Sequence, residues 1–231
     1  MTSNWEEFEL VQRLDVVKTL AKDKNVLHLG CTNYPYTNEA IESGMLLHDS
    51  LEKVAVKLTG FDLDQRGIDI LEARGTGNLF RADLENLDEV PLDGTFDVII
   101  AGEMIEHLTN PGRFLEGIKR FMNRDTELII TTINAYCALR FAIYGLRGKR
   151  GKNEPVHPDH VSYYSYRTLG LLLERHGMKR IKFLFYDLGA EHRPHNPWFY
   201  NAFNDLAVRF SPQLADGVIA ICKLSDESHD A

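Results

Sequence analysis

The chain has 231 residues, 44% of them apolar, and a formal charge of −8. That length and apolar share suit one packed α/β domain and exclude a disordered tail. The acidic balance argues against a nucleic-acid binder, which needs basic surface to displace counterions from phosphate.

The longest apolar stretches, such as Phe96 to Ala101, fall far short of the ~20 residues that span a bilayer. The first twenty residues carry Glu6, Glu7, Glu9 and Asp15 and lack the basic-then-apolar layout of a secretion signal. Cys31, Cys137 and Cys222 are odd in number and widely spaced. They suggest neither a disulfide framework nor a zinc site, so a cytoplasmic location is expected. The cluster Arg147, Lys149, Arg150 and Lys152 reads as a solvated loop.

Taken in chain order, Phe8, Val11, Leu14, Val17 and Leu20 recur at steps of three and predict an amphipathic helix over residues 5–22. Asn25 to Leu29 reads as a buried strand that ends in a turn at Gly30. A helical stretch is expected over about Asn38 to Leu58, overlapping a second strand at Val56 to Phe61. A helix follows at Arg66 to Arg74, then a short strand at Asn78 to Arg81. Phe96 to Ala101 and Glu127 to Ile133 are the next strands, with a helix near Pro111 to Met122 between them.

Residues 134–165 break the pattern as an aromatic and basic insertion. The helix Tyr166 to His176 stops at Gly177, a common C-terminal cap. Strands at Ile181 to Tyr186 and Gly217 to Lys223 have no clear helix between them, only a second insertion at 187–212, and could pair antiparallel. Alternating strands and helices imply a mostly parallel sheet covered on both faces. No linker divides the chain, so residues 1–231 are expected to form one domain.

Open parallel sheets bind ligands beyond the carboxyl ends of their strands. Those ends carry Gly30-Cys31-Thr32, Asp62, Asp83, Gly102-Glu103 with Glu106 and His107, and Thr132 with Asn134. Asp62, after the second strand, can accept bonds from both ribose hydroxyls of an adenosine ligand. The alternative for Asp62 is a helix cap, for which Asp64 is better placed. Asp83 can accept from an adenine amino group while the Leu84 amide meets a ring nitrogen; its alternative is a turn aspartate.

Four pieces now stand in order: Val26-Leu27-His28-Leu29-Gly30-Cys31, Gly60-Phe61-Asp62-Leu63-Asp64, Arg81-Ala82-Asp83-Leu84, and Phe96 to Leu108 with its Gly102-Glu103-Met104-Ile105-Glu106-His107 core. Together they resemble the class I S-adenosylmethionine (SAM)-dependent methyltransferases, most closely the small-molecule branch with the ubiquinone-biosynthesis O-methyltransferases. His160-Val161 followed by Tyr164-Ser165 also looks like that branch. The resemblance implies a Rossmann-like sandwich with a mostly parallel seven-stranded sheet and an antiparallel last strand. It also implies SAM as cofactor, methyl transfer to a small molecule, and oxygen as the methylated atom. His28, Gly30, Asp62, Asp83, Leu84 and Glu103 are the implied cofactor-binding residues.

One departure is plain. The family's first loop reads Asp-x-Gly-x-Gly-x-Gly, and here those four positions hold His28, Gly30, Thr32 and Tyr34. Glycines let the backbone approach a ligand closely, so Thr32 and Tyr34 must alter the loop. That alteration supports a competing reading, a partner protein that keeps the fold and binds SAM weakly. A NAD-dependent enzyme suffers more from the missing glycines, because pyrophosphate needs close amides.

Methyl transfer mainly requires alignment, with a base for an acceptor that carries a proton. His160 and His107 are the candidate catalytic residues, each with a structural role as the alternative. His157 looks like a loop residue. His157 and His160, three apart, raise a metal reading, but without a matching third ligand no metal is expected. Tyr136, Phe141, Tyr144, Tyr163, Tyr164 and Tyr166 could form an acceptor wall or ordinary packing. His192, Arg193, His195, Trp198, Phe199 and Tyr200 could form a lid or cover the sheet edge. The expected partner is a small molecule, with neither nucleic acid nor membrane.

Overall fold

The computed structural model describes residues 6–147, 159–189 and 193–225. Its centre is an eight-stranded sheet in the order β1-β7-β8-β6-β5-β2-β3-β4. The strands are β1 (Leu10–Val11), β2 (Asn25–Leu29), β3 (Lys57–Asp62), β4 (Leu79–Arg81), β5 (Val98–Gly102), β6 (Glu127–Ile133), β7 (Met178–Tyr186) and β8 (Gly217–Leu224). Only β8 runs against its neighbours β6 and β7; the other pairings are parallel.

Alternation along the strands divides the core in two. Leu27, Leu29, Ile99, Ala101, Leu128 and Ile130 face α5 (Pro111–Ile118) and α7 (Tyr166–Arg175), meeting Phe114, Leu115, Leu169 and Leu173. Val26, Val98, Ile100 and Ile129 face the other way, against Val16, Val17 and Ala21 of α1 (Arg13–Ala21) and Leu51 of α3 (Leu47–Glu52). A sheet covered on both faces needs strands that are apolar on both sides.

Three expectations are corrected. The helix expected over 5–22 begins only at Arg13, and Leu10 and Val11 form an edge strand pairing with Phe185 and Tyr186. The step of three is shared by chance: Phe8 sits at φ 68° and packs on Tyr166 and Phe185, while the helix buries Val16, Val17 and Ala21. The sheet therefore has eight strands rather than seven. The stretch expected as one helix over Asn38 to Leu58 is two, α2 (Thr37–Glu42) and α3, parted at Gly44 in the left-handed region at φ 69°.

Both insertions contain helices, α6 (Ala138–Arg147) and α8 (Trp198–Phe210). The sequence reading leaves α8 as an insertion; in it Asn204 and Val208 are buried, whereas Trp198, Phe199, Phe203, Leu206 and Phe210 are exposed. The remaining helix, α4 (Gln65–Ala73), is capped by Asp64, which accepts from the Arg66 and Gly67 amides. That is the capping residue the sequence favours. No helix among the described residues is long and apolar enough to cross a membrane. Cys31, Cys137 and Cys222 are buried and unpaired with one another.

Candidate active site

The strand order switches between β2 and β5, which are neighbours although β3 and β4 follow β2 and lie on its other side. A crevice opens beyond the carboxyl ends of strands at such a point. Gly30 ends β2 with φ 75°, a left-handed conformation that glycine adopts without penalty. The Gly30 and Cys31 amides both donate to the Phe61 carbonyl, at 2.8 and 3.2 Å, so the first loop is tied to the end of β3.

Asp62 is the organising carboxylate of that loop. Its Oδ2 accepts from the Thr32 amide at 2.9 Å and the Thr32 hydroxyl at 2.8 Å, and its Oδ1 accepts from the Asp64 amide at 3.0 Å. Oδ1 thus keeps a lone pair for an incoming hydroxyl. Thr32, at a family glycine position, is fully buried. Space for it comes from Gly67 in α4, where an added Cβ would lie 2.5 Å from the Thr32 Cβ.

Asp83 closes a turn, accepting from the Glu85 amide at 2.9 Å and the Asn86 side chain. Leu84 packs partly buried on the core. His28 lies inside the protein rather than in the loop. Its Nδ1 is 3.2 Å from Nδ1 of His48 on α3, with the rings stacked at 5.4 Å. One imidazole must donate and the other accept, so the bond needs at least one neutral ring in the right tautomer. Burial, then the neighbouring His48 and Arg13, holds His28 well below its usual range. Burial lowers His48 to about 4, opposed by Asp49.

Glu103 follows β5 at φ 50°, a strained backbone for a non-glycine residue. Its carboxylate accepts from the Tyr186 hydroxyl at 2.7 Å and pairs with Arg13 at 3.3 Å. Its amide donates to the Thr131 carbonyl at 2.9 Å.

The next turn, Ile105–His107, is a single 3-10 turn that presents Glu106 and His107. Glu106 is fully buried. Its Oε2 accepts from the Thr132 hydroxyl at 2.8 Å, and its carbonyl accepts from the Val161 and Ser162 amides at 2.9 and 3.2 Å. Those main-chain bonds fasten the His160 segment to the turn. The His107 and His160 rings meet edge to face at 4.5 Å. One potential ligand atom from each of Glu106, His107 and His160 lies within 4.8 Å of the others. Burial first, then the Glu103 charge, raises the Glu106 carboxyl to about 7.

The two candidate catalytic histidines are therefore together, and Glu106, absent from the expected site set, joins them. Its signal is the spacing Glu103-x-x-Glu106-His107 after a strand end. The hold of Thr32 on Asp62 had no sequence signal beyond the missing glycine. His157 and His192 lie outside the described residues, as do Lys149, Arg150 and Lys152.

Of the aromatic set, Tyr136, Phe141, Tyr144 and Tyr163 are exposed, while Tyr164 is buried. Arg193 is a strut, its Nη2 2.7 Å from both Asp187 and Asp205, and it joins the end of β7 to α8. A surface groove of about 660 Å³, lined by Glu85, Asn110, Arg113, Glu116 and His176 among others, contains none of the candidate site residues.

This layout, a parallel sheet with its switch point flanked by a glycine turn and strand-end carboxylates, defines a nucleotide-type α/β fold. Residues 8–182 match the family described as the methyltransferase domain, and the chain belongs to that family. It is 28% identical over 116 residues to the ubiquinone biosynthesis O-methyltransferase of Shewanella halifaxensis, a match covering 48% of this chain and 44% of that protein. The chain thus spans less than half the length of this curated relative.

Among solved structures, a SAM-dependent methyltransferase from Archaeoglobus fulgidus aligns with TM-score 0.56 at 18% identity, covering 91% of this chain and 94% of that one. The magnesium protoporphyrin IX methyltransferase of Synechocystis PCC 6803, solved with bound SAH, aligns with TM-score 0.55 at 13% identity, covering 92% and 82%. These likenesses establish the class I methyltransferase fold. The strand ends fit its cofactor: Gly30 offers close main-chain approach, and Asp62 keeps acceptor capacity at the loop.

Proposed function

We propose that this protein transfers a methyl group from SAM to an oxygen atom of a small-molecule acceptor. The observation that carries the reading is the convergence of Glu106, His107 and His160 beyond β5, the strand beside the switch point. SAM, when bound, supplies a methyl group already activated on a sulfonium. The chain has to hold it, align the acceptor and manage one proton.

Gly30 and Asp62 are the residues to hold the methionine side and the ribose, and Asp83 with the Leu84 amide to meet the adenine. Glu103, fixed by Tyr186 and Arg13, lies between this part and the acceptor side. His28 acts from behind the loop, through its bond to His48. His160 is the base for the acceptor proton, with His107 against its ring. Oxygen is supported by the names of the curated relatives. The acidic chain supports a small-molecule partner over nucleic acid, and three free buried cysteines support a reducing, cytoplasmic setting.

Calorimetry with S-adenosylhomocysteine (SAH), followed by turnover assays over a panel of phenols, catechols and carboxylates with SAH release as readout, tests the proposal. Binding of SAH and methylation at oxygen are expected. Absence of any SAH binding at millimolar concentration refutes it. Methylation confined to tRNA or protein side chains refutes the substrate class.

A second reading has one observation in its favour: Thr32 already fills Oδ2 of Asp62 with two bonds. A partner protein that binds SAM weakly and catalyses nothing would show SAH binding in the high micromolar range and no turnover.

A further inference from the structure

We propose that the outward stripe of α8 is the contact face of a homodimer, in which two copies of this chain pack α8 against α8 across a two-fold axis. Phe199, Phe203, Leu206 and Phe210 follow one another at steps of four, three and four. At about 100° per residue, those steps keep all four side chains on one narrow strip of the helix. The same alternation of three and four marks the seam along which packed helices interdigitate. All four residues are exposed, Leu206 by 69% and Phe210 by 87%. Trp198, 79% exposed, widens the patch through its edge-to-face contact with Phe199 at 6.1 Å.

This stripe is not the one that holds α8 on the protein. Asn204 and Val208 are the buried residues of the helix, and Tyr200, one turn before Asn204, packs on Cys137, Leu139 and Leu188. Asn204 also donates to Asp187 at 2.7 Å, and Arg193 bridges Asp187 and Asp205. A surface helix docked through one stripe ordinarily turns polar residues to water. Here the outward stripe is apolar, and the strut beneath it holds the face ready for a partner.

The area suffices for a stable contact. An aromatic side chain offers about 150–250 Å², so at these exposures the five residues present on the order of 600 Å² per copy. Two copies would bury about 1,200 Å² from them alone, where specific interfaces begin. Apolar patches of more than a few hundred Å² mark interaction surfaces.

A second copy fits this face better than a lipid surface does. From Trp198 to Phe210 the helix has one arginine, one aspartate and no lysine, whereas helices that lie on anionic membranes are rich in Lys and Arg on their polar face. The stripe is also its own complement, as an isologous contact requires. With the two helices antiparallel about an axis midway between Phe203 and Leu206, Phe203 meets Leu206 of the second copy and Phe199 meets its Phe210. Ala202 and Ala207 flank the stripe, one on each side, and their small size lets the helices approach. Antiparallel packing also sets the two helix dipoles in opposition.

Sedimentation velocity over a concentration series tests the face. The wild type should be a dimer at micromolar concentration. The double variant Phe203→Glu, Leu206→Glu places four carboxylates around the axis and should weaken the dimer at least a hundredfold. Both residues are exposed, so circular dichroism and SAH affinity should match the wild type. Val56→Glu, at a similarly exposed apolar residue before β3, should leave the dimer intact. A wild type that stays monomeric at high micromolar concentration overturns the proposal, as does a dimer indifferent to the double variant. A monomer that floats with phosphatidylglycerol vesicles, and loses them in the double variant, would give the stripe to a membrane instead. The dimer does not rest on methyl transfer: a dimer that fails to bind SAH refutes the proposed function and leaves the interface standing.

Discussion

Replacing Asp62 with Ala tests the loop and the cofactor site together. The wild-type carboxylate accepts three hydrogen bonds, from the Thr32 amide, the Thr32 hydroxyl and the Asp64 amide, at 2.9, 2.8 and 3.0 Å. Bonds to a charged acceptor contribute about 1.5–3 kcal/mol each. At this buried site, 8% exposed, water can restore part of that, and a net loss of about 3 kcal/mol is expected. For a domain of this size that lowers Tm by about 6–12 °C. A rim residue serving only a ligand would leave Tm unchanged, so the structure demands a folding cost that strand-end placement alone does not. The affinity for SAH, measured by calorimetry well below the lowered Tm, should fall about 10–150-fold, the equivalent of about 1.5–3 kcal/mol for the lost ribose bonds. Asp62→Asn, which keeps one acceptor oxygen, should fall between the two. A lower Tm with unchanged SAH affinity would return Asp62 to a purely structural role. An unchanged Tm would refute the account of the loop.

Gly67→Ala should push its Cβ into Thr32 and against the Asp64 carboxylate and cost about 1–3 kcal/mol in denaturant melts, whereas in a Thr32→Gly background the part of that cost due to Thr32 should vanish; fully additive effects would show that the two do not share that space. The buried His48, lowered to about 4 from an ordinary 6.5, must take up a proton on unfolding below pH 6.5, so stability should fall as pH drops from about 6.5 towards 4, by about 3 kcal/mol from this group. In His48→Gln, which can still bond His28, urea melts should show a shallower acid slope, and an unchanged slope would refute the assignment. His160→Ala should slow turnover about 10²–10⁴-fold with SAH affinity retained; normal turnover would remove His160 from the acceptor chemistry.

Much of the fold is legible in the sequence because a sheet buried on both faces leaves continuous apolar runs with polar groups only at the ends. Glu127 to Ile133 is predicted and observed with the same bounds, and Gly177 ends α7 in the left-handed conformation, at φ 65°, that its position implies. Legibility fails where tertiary contacts decide. Leu10 and Val11 fit a helical step, yet become a strand because β7 offers a parallel edge to pair with. The helix α8 hides because large apolar side chains such as Phe203, Leu206 and Phe210 are exposed beside Asp205 and Arg209 while Asn204 is buried, which blurs the polar and apolar faces that periodicity detects.

The site follows the same division. Strand ends are found by counting along the chain, so Gly30, Asp62, Asp83 and Glu103 are visible in advance. What each side chain does depends on partners that counting does not supply. His28 holds the position of a family acid, but the pleat turns it towards α3, where His48 meets it. Thr32 reads as a lost glycine until Gly67, thirty-five residues on, is seen to make room for it. Glu106 and His107 are adjacent in sequence, whereas His160 reaches them through two main-chain bonds across more than fifty residues. In each case the missing information is a long-range contact, and two departures from the family loop, His28 and Thr32, are matched by a residue elsewhere, His48 and Gly67. A decaying site has no need of such compensation. The pairing of Thr32 with Gly67 therefore favours a cofactor loop that has been rebuilt over one that has been lost.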